Sequence, residues 1–303
     1  MKKRKIAIAA VAAVAAVTLI VAGGYTMYSN KDNIDFGEIK VESIPEKGEG
    51  TTRVMSFNVR CADDPEGSIN NRSQLVTAIL DQYAPDSFGV QEATSKWLGK
   101  IDDALGDRYD RVGEARDFFG PFSEYSCVYY LKDKYNLIDS GTIWLSETPD
   151  EKYSVSFDSK CRRIASWAVL ENKETGEKYT HLNTHLDHGL ESTREAQAQV
   201  LLTKLNELHK EGTVVCTGDF NTDNESKVYA DMTAVTDDTA VVAKNTQSGV
   251  TYHNYGKITE GGPIDFIFVS KGIKALNYKI IDGKIKDMYP SDHNAICADI
   301  YLK

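Results

Sequence analysis

The pattern that most constrains this chain is a set of strand-like runs, each delivering an acid, amide or imidazole to the loop beside it. The β-rich run Thr213–Thr217 passes straight into Gly218-Asp219-Phe220-Asn221. Met55-Ser56-Phe57 leads to Asn58, Phe88-Gly89-Val90 to Gln91-Glu92, and Lys178–Leu186 carries Asn183-Thr184-His185. Ser291-Asp292-His293 adjoins the apolar run Ala295–Leu302. Groups placed where strands give way to loops sit on a rigid scaffold and face one rim. Oxygen ligands there suit a hard divalent cation such as magnesium or manganese, and imidazoles can move protons or contact phosphoryl oxygens.

Helical spacing appears between these runs. Leu75, Val76, Ile79, Leu80 and Tyr83 predict a helix over 73–83, blocked by Pro85. Trp97, Leu98, Ile101 and Leu105 predict a second, stopped at Gly106, and 191–210 a third ending near Gly212. Strands are expected over 125–131, 135–145, 163–170 and 178–186, then 213–217, a polar loop, and 264–269, 275–281 and 295–302. Helices alternating with strands beside a long β-rich stretch imply an α/β fold with mixed sheets covered by helices. No Pro-rich spacer, like-charge block or repeat divides the chain, so one domain is expected over 51–303, after a short linker at 31–50.

Residues 1–30 read differently. Lys2-Lys3-Arg4-Lys5 precedes an uncharged apolar run over 6–28, the pattern of a signal peptide or an N-terminal membrane anchor. Either route puts the remainder outside the cytoplasm, secreted or held at the outer face of the cytoplasmic membrane. The chain has 35 Lys and Arg against 45 Asp and Glu, a net charge of −10, and is more acidic still without its first four cations. That balance argues against strong non-specific binding to DNA or anionic lipid. A phosphate-bearing substrate stays open, because a bound cation and local arginines can invert the field in a cleft. Cys61, Cys127, Cys161, Cys216 and Cys297 show no C-x-x-C spacing, so no zinc site is expected. Cys61 and Cys161, in polar loops, are the pair open to a disulfide in an exported protein.

Each polar position has a plainer reading to set beside the chemical one. Asn58 could mark a bulge, Glu92 could be an acid favoured by a helix N-terminus, and Asp219-x-Asn221 could be a simple turn. In extended chain Asp219 and Asn221 would face the same side, with Gly218 allowing close backbone approach. His185 and His188 lie three apart, so strand periodicity sends them to opposite faces; His185 is the candidate and His188 a loop residue. Asp265 interrupts the apolar run Pro263–Phe268, and a buried carboxylate needs a partner. His293 is the natural one, since Asp265 would fix its tautomer and raise its basicity.

In order, Asn58, Gln91-Glu92, Asn183-x-His185, Gly218-Asp219-x-Asn221, Ile264-Asp265 and Ser291-Asp292-His293 resemble the motifs of the endonuclease/exonuclease/phosphatase superfamily. The likeness covers roughly Thr51–Lys303. It implies a DNase I-like four-layer sandwich, two facing mixed β-sheets flanked by helices. It implies that Asn58, Glu92 and Asp292 hold Mg²⁺ or Mn²⁺, and that Asp219 and Asn221 position water and hold phosphate. His185 looks like a phosphate-contacting or acid histidine, Asp265–His293 like a general-base dyad, and Glu124 like the acid that orients His185. Arg163 resembles the phosphate-side arginine, although Arg162 is equally placed.

The implied reaction is in-line attack of water on a phosphodiester or phosphomonoester by a monomeric enzyme. A small molecule, a lipid head group and a nucleic acid all remain open as substrates. Lys96, Lys100 and Arg60 are scattered among acids and form no stripe for a nuclease. Phe118-Phe119-Gly120-Pro121-Phe122 is the one candidate for a membrane-docking hairpin, a loop packed over core or pocket being the favoured reading. Membrane association through residues 6–28 and a surface-tethered binding protein without turnover complete the alternatives.

Overall fold

The computed structural model describes residues 34–118 and 120–302. The expected signal or anchor at 1–30 lies outside the described residues, and no helix among those described is long and apolar enough to cross a membrane. Among the described residues thirteen strands, β1 Thr52–Asn58, β2 Ser87–Gln91, β3 Tyr109–Val112, β4 Val128–Leu131, β5 Tyr135–Trp144, β6 Ile164–Asn172, β7 Lys178–His185, β8 Thr213–Asp219, β9 Thr236–Asp238, β10 Ala243–Asn245, β11 Asp265–Ser270, β12 Lys274–Ile281 and β13 Ala295–Tyr301, form two sheets. One runs β10-β12-β13-β1-β2-β4-β3 and the other β5-β6-β7-β8-β11-β9.

The layering follows from two-residue periodicity. Along β13, Ile296, Ala298 and Ile300 pack with Val215, Ile267 and Val269 of the other sheet. Ala295 and Cys297 face the opposite way, with Met55, Phe57 and the helices α1 Ile69–Tyr83 and α2 Ser95–Leu105. On the far side, α3 Glu191–His209 and α4 Lys227–Val235 cover Leu182, Cys216, Phe266 and Phe268. Four layers result, helices outside and facing mixed sheets inside.

A polar seam runs between the sheets near the rim. Tyr179 donates to Ser87 (2.9 Å), and Ser87 meets His181 Nδ1 (2.7 Å). His181 Nε2 meets Thr217 (2.8 Å), which donates to Asn183 Oδ1 (2.9 Å), where Gln91 also donates (2.7 Å). Because the Tyr179 and Thr217 protons point along the chain, His181 is the Nε2–H tautomer, accepting from Ser87. The seam joins β2, β7 and β8 beside the residues that end them.

Sequence periodicity placed the long elements and missed the short ones. The first helix starts at Ile69 rather than Ser73, with Ser68 accepting from the Asn71 N–H. The expected polar loop after Thr217 contains α4, which buries only Val228 and Met232 and so carries little periodic signal. Residues 34–50 hold no regular element; Ile34 and Val41 donate backbone N–H groups to Asn71 and Gln82 of α1. Phe118 and Phe122 are 67% and 86% exposed, so that loop is not packed away as expected. Phe118 meets the Tyr153 ring edge-on, 5.4 Å between centroids, with most of its own surface still open to solvent. All five cysteines are free thiols.

Candidate active site

Register brings the polar strand ends to one rim. β1 and β2 are parallel, with Asn58 opposite Gln91, and β7 and β8 are parallel, with His185 opposite Asp219. β11 is antiparallel to β8 and starts at the same rim, Asp265 opposite Asp219. β13, antiparallel to β1, begins just after His293. Gly218 permits the β7–β8 approach, because a Cβ there would lie 2.6 Å from the Thr184 carbonyl oxygen. The rim encloses a cleft of about 380 Å³ that includes Glu92, Arg163, His185, Asp219, Asn221, Asp292 and His293 in its lining. A larger cavity of about 840 Å³, between residues 36–43 and 279–286, gathers none of these groups.

One wall of the cleft is acidic. Asn58 Nδ2 donates to Asp219 Oδ2 (2.9 Å) and Glu92 Oε1 (3.2 Å), linking the two carboxylates. Glu92 sits in the left-handed region (φ 57°), a strained backbone for this residue type that aims its carboxylate into the cleft. Burial works against its charge, but the Cys61 N–H (3.0 Å) and nearby His293 hold its carboxyl below the usual range. Asp292 is pushed up by burial and by Glu92. Arg60 reaches both, 3.8 Å from each.

At the centre, His293 Nδ1 meets Asp265 Oδ2 at 2.9 Å, and His293 Nε2 lies 3.6 Å from Asp219 Oδ2. Burial lowers the imidazole pKa, but Asp265 and Asp219 outweigh it and raise it to about 10. Asp219 is itself raised to about 7 by burial and by Asp265. Buried together, Asp219 is thus a weaker acid and His293 a stronger base than either would be in water.

The other wall is cationic. Arg163 is buried, and its Nε and Nη1 have no hydrogen-bond partner among the described residues. Its Nη2 donates to His188 Nδ1 (3.1 Å). Arg162 turns away to Asp117 (3.2 Å) and the Tyr153 carbonyl (2.5 Å), so of the two neighbours Arg163 is the one that lines the cleft. His185 accepts from Asn221 Nδ2 at 2.9 Å; burial, Arg163 and Arg116 keep its pKa well below the usual value, so it is neutral.

Three expectations need correction. Asn221 does not reach the cleft by strand alternation: its φ is 51° and its N–H bonds Asp219 Oδ1 (2.9 Å), so a turn swings it beside His185. Glu124 lines the cleft but pairs with Arg116 (2.6 Å), and no hydrogen bond joins it to His185 among the described residues. Arg116 takes this carboxylate because a guanidinium is the stronger partner for a buried acid than a neutral ring. His188 also lines the cleft, because β7 ends at His185 and the period-two rule ends with it. Sequence reasoning passed over Arg60, Arg116 and Tyr252, which sit in irregular loops where spacing carries no orientation signal.

The donor set fits a hard cation. Glu92, Asp219 and Asp292 all line the cleft with carboxylate oxygens, the donor type a hard cation takes, and burial pushes the Asp219 and Asp292 carboxyls up. Asp219, Asp265 and His293 also place ligand atoms within 4.8 Å of one another and could hold a metal. There, however, His293 Nδ1 is already committed to Asp265. Cys161, Asp187 and His188 cluster similarly, but the Asp187 oxygens are taken by Ser159 and by the Lys160 and Gly189 N–H groups.

Carboxylates and a buried guanidinium with two unpartnered nitrogens share one cleft at the rim of a four-layer sandwich, an arrangement suited to holding a phosphate ester. The sequence matches the Endonuclease/Exonuclease/phosphatase family over residues 55–293, and the chain belongs to that family of phosphoesterases. An endonuclease/exonuclease/phosphatase from Bacteroides vulgatus is 33% identical, with TM-score 0.78, over 84% of this chain and 99% of that one. The mannosyl-6-phosphatase of Bacteroides thetaiotaomicron is 28% identical, with TM-score 0.76, over 82% and 99%. The human Nocturnin catalytic domain with bound sulfate shares the fold at 19% identity and TM-score 0.67, over 83% and 93%. No curated protein matches the sequence.

Proposed function

We propose that the chain is an exported, Mg²⁺- or Mn²⁺-dependent phosphoesterase that hydrolyses a compact phosphate ester, a sugar phosphate being the favoured class, by in-line attack of water. The observation that carries this reading is Arg163. A buried guanidinium with two partnerless nitrogens is costly unless an anion arrives. The small cleft, the acidic chain and the likeness to a mannosyl-6-phosphatase support a small substrate over a nucleic acid.

Glu92 and Asp292, with Asn58 beside them, would hold the metal, which supplies charge neutralisation at phosphoryl oxygens when bound. Arg163 binds a phosphoryl oxygen, and Asn221 with His185 orients the same group. Asp219, with its pKa near 7, takes the proton of the attacking water. His293, its proton favoured by Asp265, donates to a phosphoryl oxygen; as the water oxygen bonds to phosphorus the ester P–O bond opposite breaks, and the leaving alkoxide takes its proton from solvent. Export rests on the basic and apolar pattern of residues 2–28, and a monomer suffices for this chemistry because every group above comes from one chain.

The test is hydrolysis of mannose 6-phosphate, other sugar phosphates, bis-p-nitrophenyl phosphate, sphingomyelin, RNA and DNA, with EDTA and after metal is restored. Glu92→Gln and Asp219→Asn should each lose roughly 10²–10⁴-fold in kcat. Full activity in EDTA, or in either variant, would refute the mechanism; preferential cleavage of nucleic acid or lipid would refute the substrate class.

A further inference from the structure

We infer that Arg60 is a built-in counter-ion for the acidic wall, one that an incoming divalent cation must push aside, so that Arg60 and its tether Asp64 set the metal affinity of this cleft. The inference rests on the reading of Glu92 and Asp292 as metal ligands.

The backbone of Arg60 cannot move away. It sits at φ 61°, its N–H donates to Asn58 Oδ1 (3.0 Å), and its carbonyl accepts from Trp97 Nε1 (2.8 Å) and Arg72 Nη2 (3.1 Å). Arg72, fully buried, also donates to the carbonyls of Val59, Ala62, Gly67 and Pro290, locking the loop and the Ser291–His293 approach together. The freedom left is in the Arg60 side chain, which is 34% exposed.

Three carboxylates compete for that side chain. Asp64 holds it in two contacts, Nε at 2.9 Å and Nη2 at 3.3 Å, and is itself fixed by the Tyr255 hydroxyl at 2.7 Å. Glu92 and Asp292 each lie 3.8 Å away, inside ion-pair range but beyond hydrogen-bond contact. Asp64 thus restrains the guanidinium at the edge of the acidic wall. There it offsets the mutual repulsion of Glu92 and Asp292 without itself hydrogen-bonding either carboxylate. A divalent cation on those oxygens would meet a like charge beside it, and like charges at such range oppose one another strongly in a partly buried site.

The experiment is calorimetric titration of Mn²⁺ alone onto the EDTA-stripped full chain, for wild type, Arg60→Gln, Asp64→Asn and the double variant. Arg60→Gln should bind Mn²⁺ roughly tenfold more tightly and melt at a lower temperature when metal-free. Asp64→Asn, which frees the guanidinium to close on Glu92 and Asp292, should bind more weakly, and the double variant should follow Arg60→Gln. Unchanged or weakened binding in Arg60→Gln, or a double variant that follows Asp64→Asn, overturns the inference. If wild type takes up no Mn²⁺, or Glu92→Gln binds it as wild type does, the metal reading itself fails, which is a separate result.

Discussion

Replacing His181 by glutamine should flatten the acid limb of stability. The ring is fully buried between the sheets and bonded to Ser87 and Thr217, and burial lowers its pKa from 6.5 to about 3. Protonation is doubly unfavourable there, because a second ring N–H would face a Ser87 hydroxyl whose own proton already points at the ring. The unfolded chain binds this proton more readily than the native one, so its contribution is complete above the unfolded pKa and is lost as pH falls towards the folded one. Taking the pKa values as 6.5 and about 3, a drop from about pH 7 to about pH 4.5 removes about 2.5 kcal/mol. That is a large share of the roughly 5–15 kcal/mol typical of a domain. Urea unfolding in EDTA, followed by tryptophan fluorescence, would measure both proteins at the two pH values. Wild type should lose about 2.5 kcal/mol more than His181→Gln over that interval, although the variant starts lower through its lost hydrogen bonds. His253, His185 and His209, also depressed by burial, act equally in both proteins and cancel. Parallel losses in the two proteins would refute the argument.

Further outcomes follow from the same geometry. Gly89→Ala should destabilise by about 2 kcal/mol or more, since its Cβ would lie 2.3 Å from Asn183 Oδ1 and 2.4 Å from Thr217 Oγ1. Gly99→Ala, in α2 with open space around it, should instead gain about 0.5–1 kcal/mol in the same urea assay. Arg163→Met should weaken competitive inhibition by inorganic phosphate roughly 10–100-fold, whereas Arg162→Met, committed to Asp117 and Tyr153, should change it by less than about threefold. Asp265→Asn should move the His293 titration down from about 10, followed by histidine NMR in EDTA, because its nearest carboxylate is removed; an unmoved titration would mean that Asp265 does not hold the proton there.

The long elements were legible because they repeat. Val54, Met55 and Phe57 make β1 a short apolar run, and Val76, Ile79, Leu80 and Tyr83 recur at helical spacing, and either pattern survives in one dimension. Short elements such as β3 and α4 expose or half-bury much of their length, so they lack that rhythm. Membership of the site was legible for Asn58, Glu92, Arg163, His185, Asp219, Asn221, Asp292 and His293, all of which line or adjoin the one cleft. The partnership of Asp265 with His293 was also readable, since an acid inside an apolar strand must find a cation or donor.

Partnership elsewhere was not. Nothing in the order of residues distinguishes Arg162 from Arg163, or assigns Glu124 to Arg116 rather than His185. The composition and spacing of this chain specify which groups are available and which strand end each occupies, because side-chain alternation and helical pitch are local properties. Which carboxylate holds the imidazole, which guanidinium keeps two nitrogens unpartnered and which loop residue leans on the acidic wall depend on distances of 3–4 Å between segments far apart in the chain. Charge and hydrogen bonding act through space, so only the folded packing of β1, β7, β8, β11 and their loops could decide them.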